Sequence, residues 1–77
     1  MKHEPLETVV LVRDVPAHGL RAGDLGALVE IHPLDTIEVE LVTASGRTTA
    51  LVTLNVSEVR AIADTDLVAV RTIARSA

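Results

Sequence analysis

Three segments in the middle of the chain alternate between apolar and other side chains, which is the period of a half-buried β-strand. They cover residues 27–32, 37–42 and 49–54, with turn-forming residues between them. The apolar members define one face, which is predicted to be the core: Ala27, Val29, Ile31, Ile37, Val39, Leu41, Ala50, Val52 and Leu54. The pattern therefore predicts two consecutive β-hairpins.

The turn between the second and third of these strands sets their register. Ser45 and Gly46 are a two-residue hairpin signal, which pairs Ala44 with Arg47. Counting back from that pair brings core-type residues opposite one another, namely Leu41 and Ala50, Val39 and Val52, Ile37 and Leu54. Loop length and hydrophobic face thus predict the same register.

The first hairpin follows from the same core face. Its register has to place Val29 opposite Leu41 and Ile31 opposite Val39, with a three-residue loop of Leu34, Asp35 and Thr36. On the outward face this register pairs Glu30 with Glu40, His32 with Glu38 and Leu28 with Val42. Like charges directly across a sheet destabilise it slightly.

The remaining segments complete an all-β order. Residues 9–12 predict a first strand that is buried on both sides or covered by a later segment. Residues 55–58 indicate a helical turn, residues 59–62 a short strand, and residues 67–74 a last strand or, alternatively, a short helix. We therefore expect one domain over residues 1–77, an SH3-like half-open barrel of five to six short strands with one helical turn near residues 55–58.

A glycine-rich loop over residues 16–26 precedes the first hairpin, and its structural residues are expected to be Pro16, Gly19, Gly23, Asp24 and Gly26. Glycine permits a positive φ or a close backbone approach, and aspartate accepts hydrogen bonds from turn amides. The glycines are not in the G-x-G-x-x-G order and no helix follows, so no dinucleotide site is predicted.

The composition excludes several kinds of function. The 77 residues contain no Phe, Trp, Tyr or Cys, which removes disulfides, thiolate ligands and cysteine nucleophiles. The missing rings also remove stacking platforms for nucleic-acid bases and grooves for proline-rich peptides. The formal net charge is −4 without a basic patch, so we do not expect a nucleic-acid partner.

Location and assembly follow from the same composition. No apolar run reaches the roughly 20 residues of a membrane helix, and the N-terminus lacks a signal-peptide core. We therefore expect a cytoplasmic protein without membrane contact. A small core built only from aliphatic residues is marginal and edge strands pair readily, so we also expect a homodimer.

Several segments resemble a family of small bacterial proteins known as domain of unknown function forty-nine twenty-six. They are residues 6–11, 14–26, 38–41, 46–48, 51–54 and 59–60, with the pattern of Pro16, Gly19, Gly23, Asp24 and Gly26 as the most specific part. The resemblance implies an SH3-like fold and no established activity. It favours an antitoxin-like or immunity-like role. Members often carry an aromatic residue near residues 37–41, and this chain has none.

The outward side of the hairpins supplies the candidate interface, which consists of Leu28, Glu30, His32, Glu38, Glu40, Val42 and Leu51. Residues 27–42 contain no Lys or Arg, which favours a basic partner or a cation. The alternative is a solvated acidic face in which His32 is a partial counter-charge. Leu28, Val42 and Leu51 form an apolar patch that is either an interface or is covered by the last segment, residues 67–73.

No pattern supports catalysis or a metal. The histidines His3, His18 and His32 lack ligand spacing, and no Ser-His-Asp arrangement stands out. We therefore expect no enzyme activity, no catalytic residue, no cofactor and no metal. The preferred function is a protein-binding module whose partner is a second copy or a basic chain. The alternatives are an accessory subunit of an enzyme complex, or a nucleic-acid-associated barrel that uses Arg13, Arg21 and Arg47.

Overall fold

A computed structural model describes residues 3–73 as an all-β structure built on one antiparallel sheet. The strands are β1 (Thr8–Leu11), β2 (Leu25–His32), β3 (Thr36–Val42), β4 (Thr48–Asn55) and β5 (Val59–Ala61), in the spatial order β4-β3-β2-β1-β5. Two short 3₁₀ turns lie at Pro16–His18 and Val56–Glu58. The predicted all-β class, the five strands and the helical turn are confirmed.

Gly26 lies where β2 changes its pairing partner from β1 to β3. The first part of β2 pairs with β1 through Leu25, Gly26 and Ala27, and the rest pairs with β3. A β-carbon at Gly26 would overlap Leu41 Cδ1 and would lie 3.2 Å from the Glu40 carbonyl oxygen. Only glycine permits this approach. A strand shared between two partners fits a half-open barrel. In the described residues, β4 and β5 form the two edges of the sheet.

The register between β3 and β4 is confirmed through the core. Leu41 faces Ala50, Val39 faces Val52 and Ile37 faces Leu54. The turn itself differs from the prediction, because the register shifts after Leu41 and Val42 pairs with Thr48. Thr43 N–H donates to the Arg47 carbonyl at 2.9 Å, so the loop has three residues, Ala44, Ser45 and Gly46, rather than two.

The predicted register between β2 and β3 is wrong. Leu28 pairs with Val39, Glu30 with Glu38 and Ile31 with Ile37, and an irregularity lies between Leu28 and Glu30. Because Val29 is an extra residue at this point, the alternation of faces is interrupted, and Leu28 points into the core while Glu30 stays outside. The loop has three residues as predicted, but they are Pro33, Leu34 and Asp35, since His32 pairs with Thr36.

The predicted core face of β2 is wrong for the same reason. Ala27 and Val29 are half-buried and Ile31 is exposed, whereas Leu28 is fully buried. The bulge thus exchanges the two faces in the part of β2 that precedes it, while the alternation within β3 is kept.

The core is made of aliphatic side chains from every strand and one loop residue, Leu20. Within residues 3–73 no polar or charged residue is buried. In β1, Val9 and Leu11 join the core while Val10 is buried outside that cluster, which confirms a first strand buried on both sides. Burial of aliphatic area is thus the main force holding the sheet together.

The long loop before β2 is ordered by short hydrogen bonds. Arg21 N–H donates to Asp24 Oδ2 at 2.8 Å, and Ala22 N–H donates to Asp14 Oδ1 at 2.9 Å. Gly19 and Gly23 have φ values of 69° and 96°, which agrees with the predicted structural role of these residues. Gly26 belongs to β2 rather than to the loop.

The last predicted strand is absent from residues 67–73, and Ala74 lies outside the described residues. We call residues 67–73 the strap. In the described part of the chain no backbone hydrogen bond joins the strap to another segment. β-branched residues favour extended backbone, but the strap does not pair with either edge of the sheet, so it is not a strand.

Candidate protein-binding face

The outward side chains of β2, β3 and β4 form one surface, which we call the hairpin face. It is made of Glu30, His32, Glu38, Glu40 and Leu51. Strand period places these residues outside, because Ile37, Val39 and Leu41 alternate with the glutamates of β3 and are buried. The structure therefore brings together five of the seven residues that the sequence assigned to an interface.

Two carboxylates of the hairpin face lie directly opposite each other. Glu30 pairs across the strands with Glu38, not with Glu40 as the alternation pattern predicted. His32 Nε2 lies 2.9 Å from Glu38 Oε1 and 3.1 Å from Glu30 Oε2, so one imidazole bridges both carboxylates. His32 reaches Glu38 diagonally, since its own cross-strand neighbour is Thr36. Its interpretation as a partial counter-charge agrees with this geometry.

Glu40 is placed between a polar and an apolar neighbour. Its Oε2 accepts a hydrogen bond from the Thr48 hydroxyl, and its cross-strand neighbour on β4 is Leu51. Leu51 keeps 56% of its surface exposed, so an aliphatic side chain stands beside the acidic groups. An apolar contact rimmed by charge is typical of a protein-binding surface.

Two aspartates elsewhere on the molecule are paired with arginine. Asp24 accepts from Arg71 at 2.6 Å and Asp66 from Arg60 at 2.9 Å. These hydrogen bonds lower the pKa of Asp24, and with the Ala63 amide they lower the pKa of Asp66 to about 2. Over residues 3–73, Glu30 and Glu38 of the hairpin face have only the His32 imidazole as an ion-pair partner, and Glu40 has none.

Two predicted patch residues do not belong to the hairpin face. Leu28 is 0% exposed and lies in the core, so its assignment to the interface is wrong. The physical cause is the irregularity at Val29, which no alternation pattern reveals. Val42 remains 53% exposed but lines a groove under the strap, at the end of β3. The strap therefore approaches only one of the three patch residues.

The contact between the strap and the glycine loop was not predicted from the sequence. Arg71 donates from Nε and a terminal nitrogen to the two oxygens of Asp24, at 2.8 and 2.6 Å, and to the Gly19 carbonyl at 3.0 Å. Ile73 packs against the core. No local pattern could have shown this pairing, because 47 residues separate the two partners.

Glu30, His32 and Glu38 are also the group that could hold a cation. One ligand atom from each lies within 4.8 Å of the other two. Two carboxylates and an imidazole suit a divalent ion, but a closed structural site needs a fourth ligand. The other histidine that bonds a carboxylate, His3, pairs with Glu7 at 3.0 Å and does not join this group.

The fold and this surface define a class: a small all-β domain with one curved antiparallel sheet and an acidic outer face. Residues 6–61 match the family Domain of unknown function (DUF4926). The match covers more than half of the chain, and the chain belongs to this family, as the resemblance implied. Comparison with curated proteins and with solved structures gives no match. Over residues 3–73 no helix is long and apolar enough to cross a membrane.

Proposed function

We propose that the protein is a non-enzymatic binding module that holds a basic partner protein against the hairpin face. The observation that carries this proposal is the contrast between carboxylates. Asp24 of the glycine loop and Asp66 of the turn after β5 have arginine partners at 2.6–2.9 Å. Over the described residues, Glu30 and Glu38 instead share one histidine, and Glu40 has no ion-pair partner. Arginine or lysine from a partner would supply the missing counter-charges.

The local geometry supports a protein rather than a free cation as the partner. Glu30 and Glu38 repel each other across the strands, and a guanidinium group would relieve that repulsion through charge-assisted hydrogen bonds. Leu51, next to Glu40, offers an apolar contact that a metal ion would not use. The acidic surface also accelerates encounter with a basic protein by long-range attraction.

An antitoxin-like or immunity-like inhibitor is the sharpest form of this proposal. In such a role the acidic face would cover a basic surface of its target. Under the same hypothesis, the protein is a cytoplasmic protein of bacteria and has no enzyme activity. Nucleic acid fits less well, because a phosphate backbone is repelled by the charges of the hairpin face.

The test compares two charge-matched variants. Glu38→Gln with Glu40→Gln keeps the size and one acceptor oxygen of each side chain on the face. Glu4→Gln with Asp64→Asn removes the same charge from exposed positions elsewhere. Each tagged protein is used to purify partners from its source cells, and the recovered partner is titrated by calorimetry at low and high salt.

We expect a basic protein that binds the wild type and the control variant equally. We expect binding to the hairpin variant to weaken at least tenfold, and wild-type binding to weaken as salt rises. A partner that binds all three proteins alike, or whose affinity ignores salt, would show that the hairpin face is not the binding surface. Retention of nucleic acid alone would reject the proposal as well.

A further inference from the structure

The strap carries large apolar side chains that its own chain leaves uncovered. Leu67 and Val70 are each 95% exposed and Val68 is 71% exposed. The strap is held by side chains alone, through Arg71 on Asp24 and through Ile73 on the core. Three neighbouring aliphatic residues in this condition form a contiguous apolar patch, which is a mark of an interaction surface.

A groove lies beside these exposed residues. It has a volume of about 330 Å³ and is lined by the strap on one side and by Leu20, Leu25, Leu41 and Val42 on the other. This size is near the lower end of protein ligand cavities, about 300–1,000 Å³, and it suits a few aliphatic side chains. Asp24, Thr43 and Thr49 also line it, so the strap places projecting apolar groups beside a mainly apolar depression.

A patch that contains both a projection and a matching depression can bind a copy of itself. Two-fold symmetric dimers use one surface on both partners, and each copy's projection then fills the other's depression. The charge of this patch permits contact between two copies. Two copies with a net charge of −4 repel each other, but here Asp24 and Arg71 neutralise one another.

We infer that the strap is a self-association surface: two copies meet across a two-fold axis, and Leu67 and Val70 of each copy enter the groove of the other. A contact along the open edge of β4 is the competing arrangement. That arrangement would leave the exposed apolar residues of the strap uncovered in both copies. The inference stands apart from the proposed function, because it uses a different surface.

The test measures oligomeric state by sedimentation equilibrium. Leu67→Glu with Val70→Glu adds two charges to the strap, and Leu6→Glu with Leu34→Glu adds two charges at exposed leucines elsewhere. We expect the wild type and the control pair to dimerise and the strap pair to dimerise at least tenfold more weakly. Raising salt should preserve or strengthen the dimer, since it screens the repulsion between copies. Binding of the basic partner should respond in the opposite direction.

A second measurement locates the contact without mutation. In a mixture of isotope-labelled and unlabelled protein, intermolecular nuclear Overhauser effects should link methyl groups of Leu67 or Val70 to those of Leu25 or Val42. A wild type that stays monomeric at millimolar concentration would overturn the inference. So would a dimer that survives in the strap variant, or intermolecular contacts that join two β4 strands.

Discussion

At the scale of single residues, Gly26 has the greatest influence on the fold. It occupies the point where β2 passes from β1 to β3, and Val39 and Leu41 approach it more closely than a β-carbon would allow. The sequence left open whether Gly26 takes a positive φ or permits a close backbone approach. It could not show which side chains fill the space, because they come from a different strand.

Gly26→Ala is expected to lower the free energy of unfolding by about 1–3 kcal/mol, the usual cost of overpacking a core. The added methyl group would overlap Leu41 Cδ1, so the core has to shift. Urea unfolding followed by far-ultraviolet circular dichroism measures the effect. In a Leu41→Ala background the same substitution should cost less, and equal costs in both backgrounds would contradict this explanation.

At the scale of elements, the two hairpins show what a pattern of alternation can and cannot predict. The register of β3 and β4 followed from the core face, and it survived even though the turn contains an extra residue. The register of β2 and β3 did not follow, because one bulged residue at Val29 moved Leu28 from the outer face to the core. A bulge is stabilised by the curvature of the whole sheet, which a single strand's sequence does not encode.

The sequence therefore predicted which residues form the hairpin face, but not which of them pair across the strands. The acidic residues and His32 were placed on one outer face because their positions alternate with apolar ones. Their partners across the strands changed with the register, so Glu30 meets Glu38. The arginine contact of Asp24 was unpredictable for a different reason, since ion pairs between distant segments leave no periodic signal.

Glu30→Lys is expected to raise the free energy of unfolding by about 0.2–1 kcal/mol, because it replaces a like-charge pair across the strands by an attractive one. The gain should shrink as salt is added. Chemical denaturation at low and high salt measures it. Asp64→Lys makes the same charge change in the exposed turn after β5, and an equal gain there would assign the effect to net charge alone.

At the scale of the whole molecule, the chain after β5 is attached to the sheet by two ion pairs and by the packing of Ile73 against the core. Arg60 binds Asp66 at the turn, and Arg71 binds Asp24 farther along. The predicted final strand is wrong because residues 67–73, despite their β propensity, are held by side chains and do not pair with either edge of the sheet. The stability of this region should consequently depend on the protonation of two aspartates.

Acid is expected to loosen this attachment. The Arg60 hydrogen bonds lower the pKa of Asp66 from 3.8 to about 2, so its contribution is complete above pH 3.8 and is lost as the pH falls through about 2. The lowered pKa of Asp24 acts in the same direction. The free energy of unfolding should therefore decrease from about pH 4 to about pH 2.

Denaturant titrations at successive pH values test this dependence. Asp66→Asn should reduce the loss of unfolding free energy between about pH 4 and about pH 2, because it removes the titrating group and retains an acceptor oxygen. Asp64→Asn, in the same turn, is the matched control, and it should leave that loss of unfolding free energy unchanged. A profile that is unchanged in the Asp66 variant would mean that the turn contributes nothing to acid sensitivity.

The open edge of β4 has a consequence for the handling of this protein. Its eight residues, Thr48–Asn55, contain no charged residue, no proline and no glycine. Charged residues and proline usually keep an edge strand from pairing with other chains, and β4 has neither. This edge can therefore template the growth of cross-β fibrils. A concentrated preparation should thus be seeded into fibrils by a peptide of this segment, and a lysine placed at Thr53 should delay that seeding.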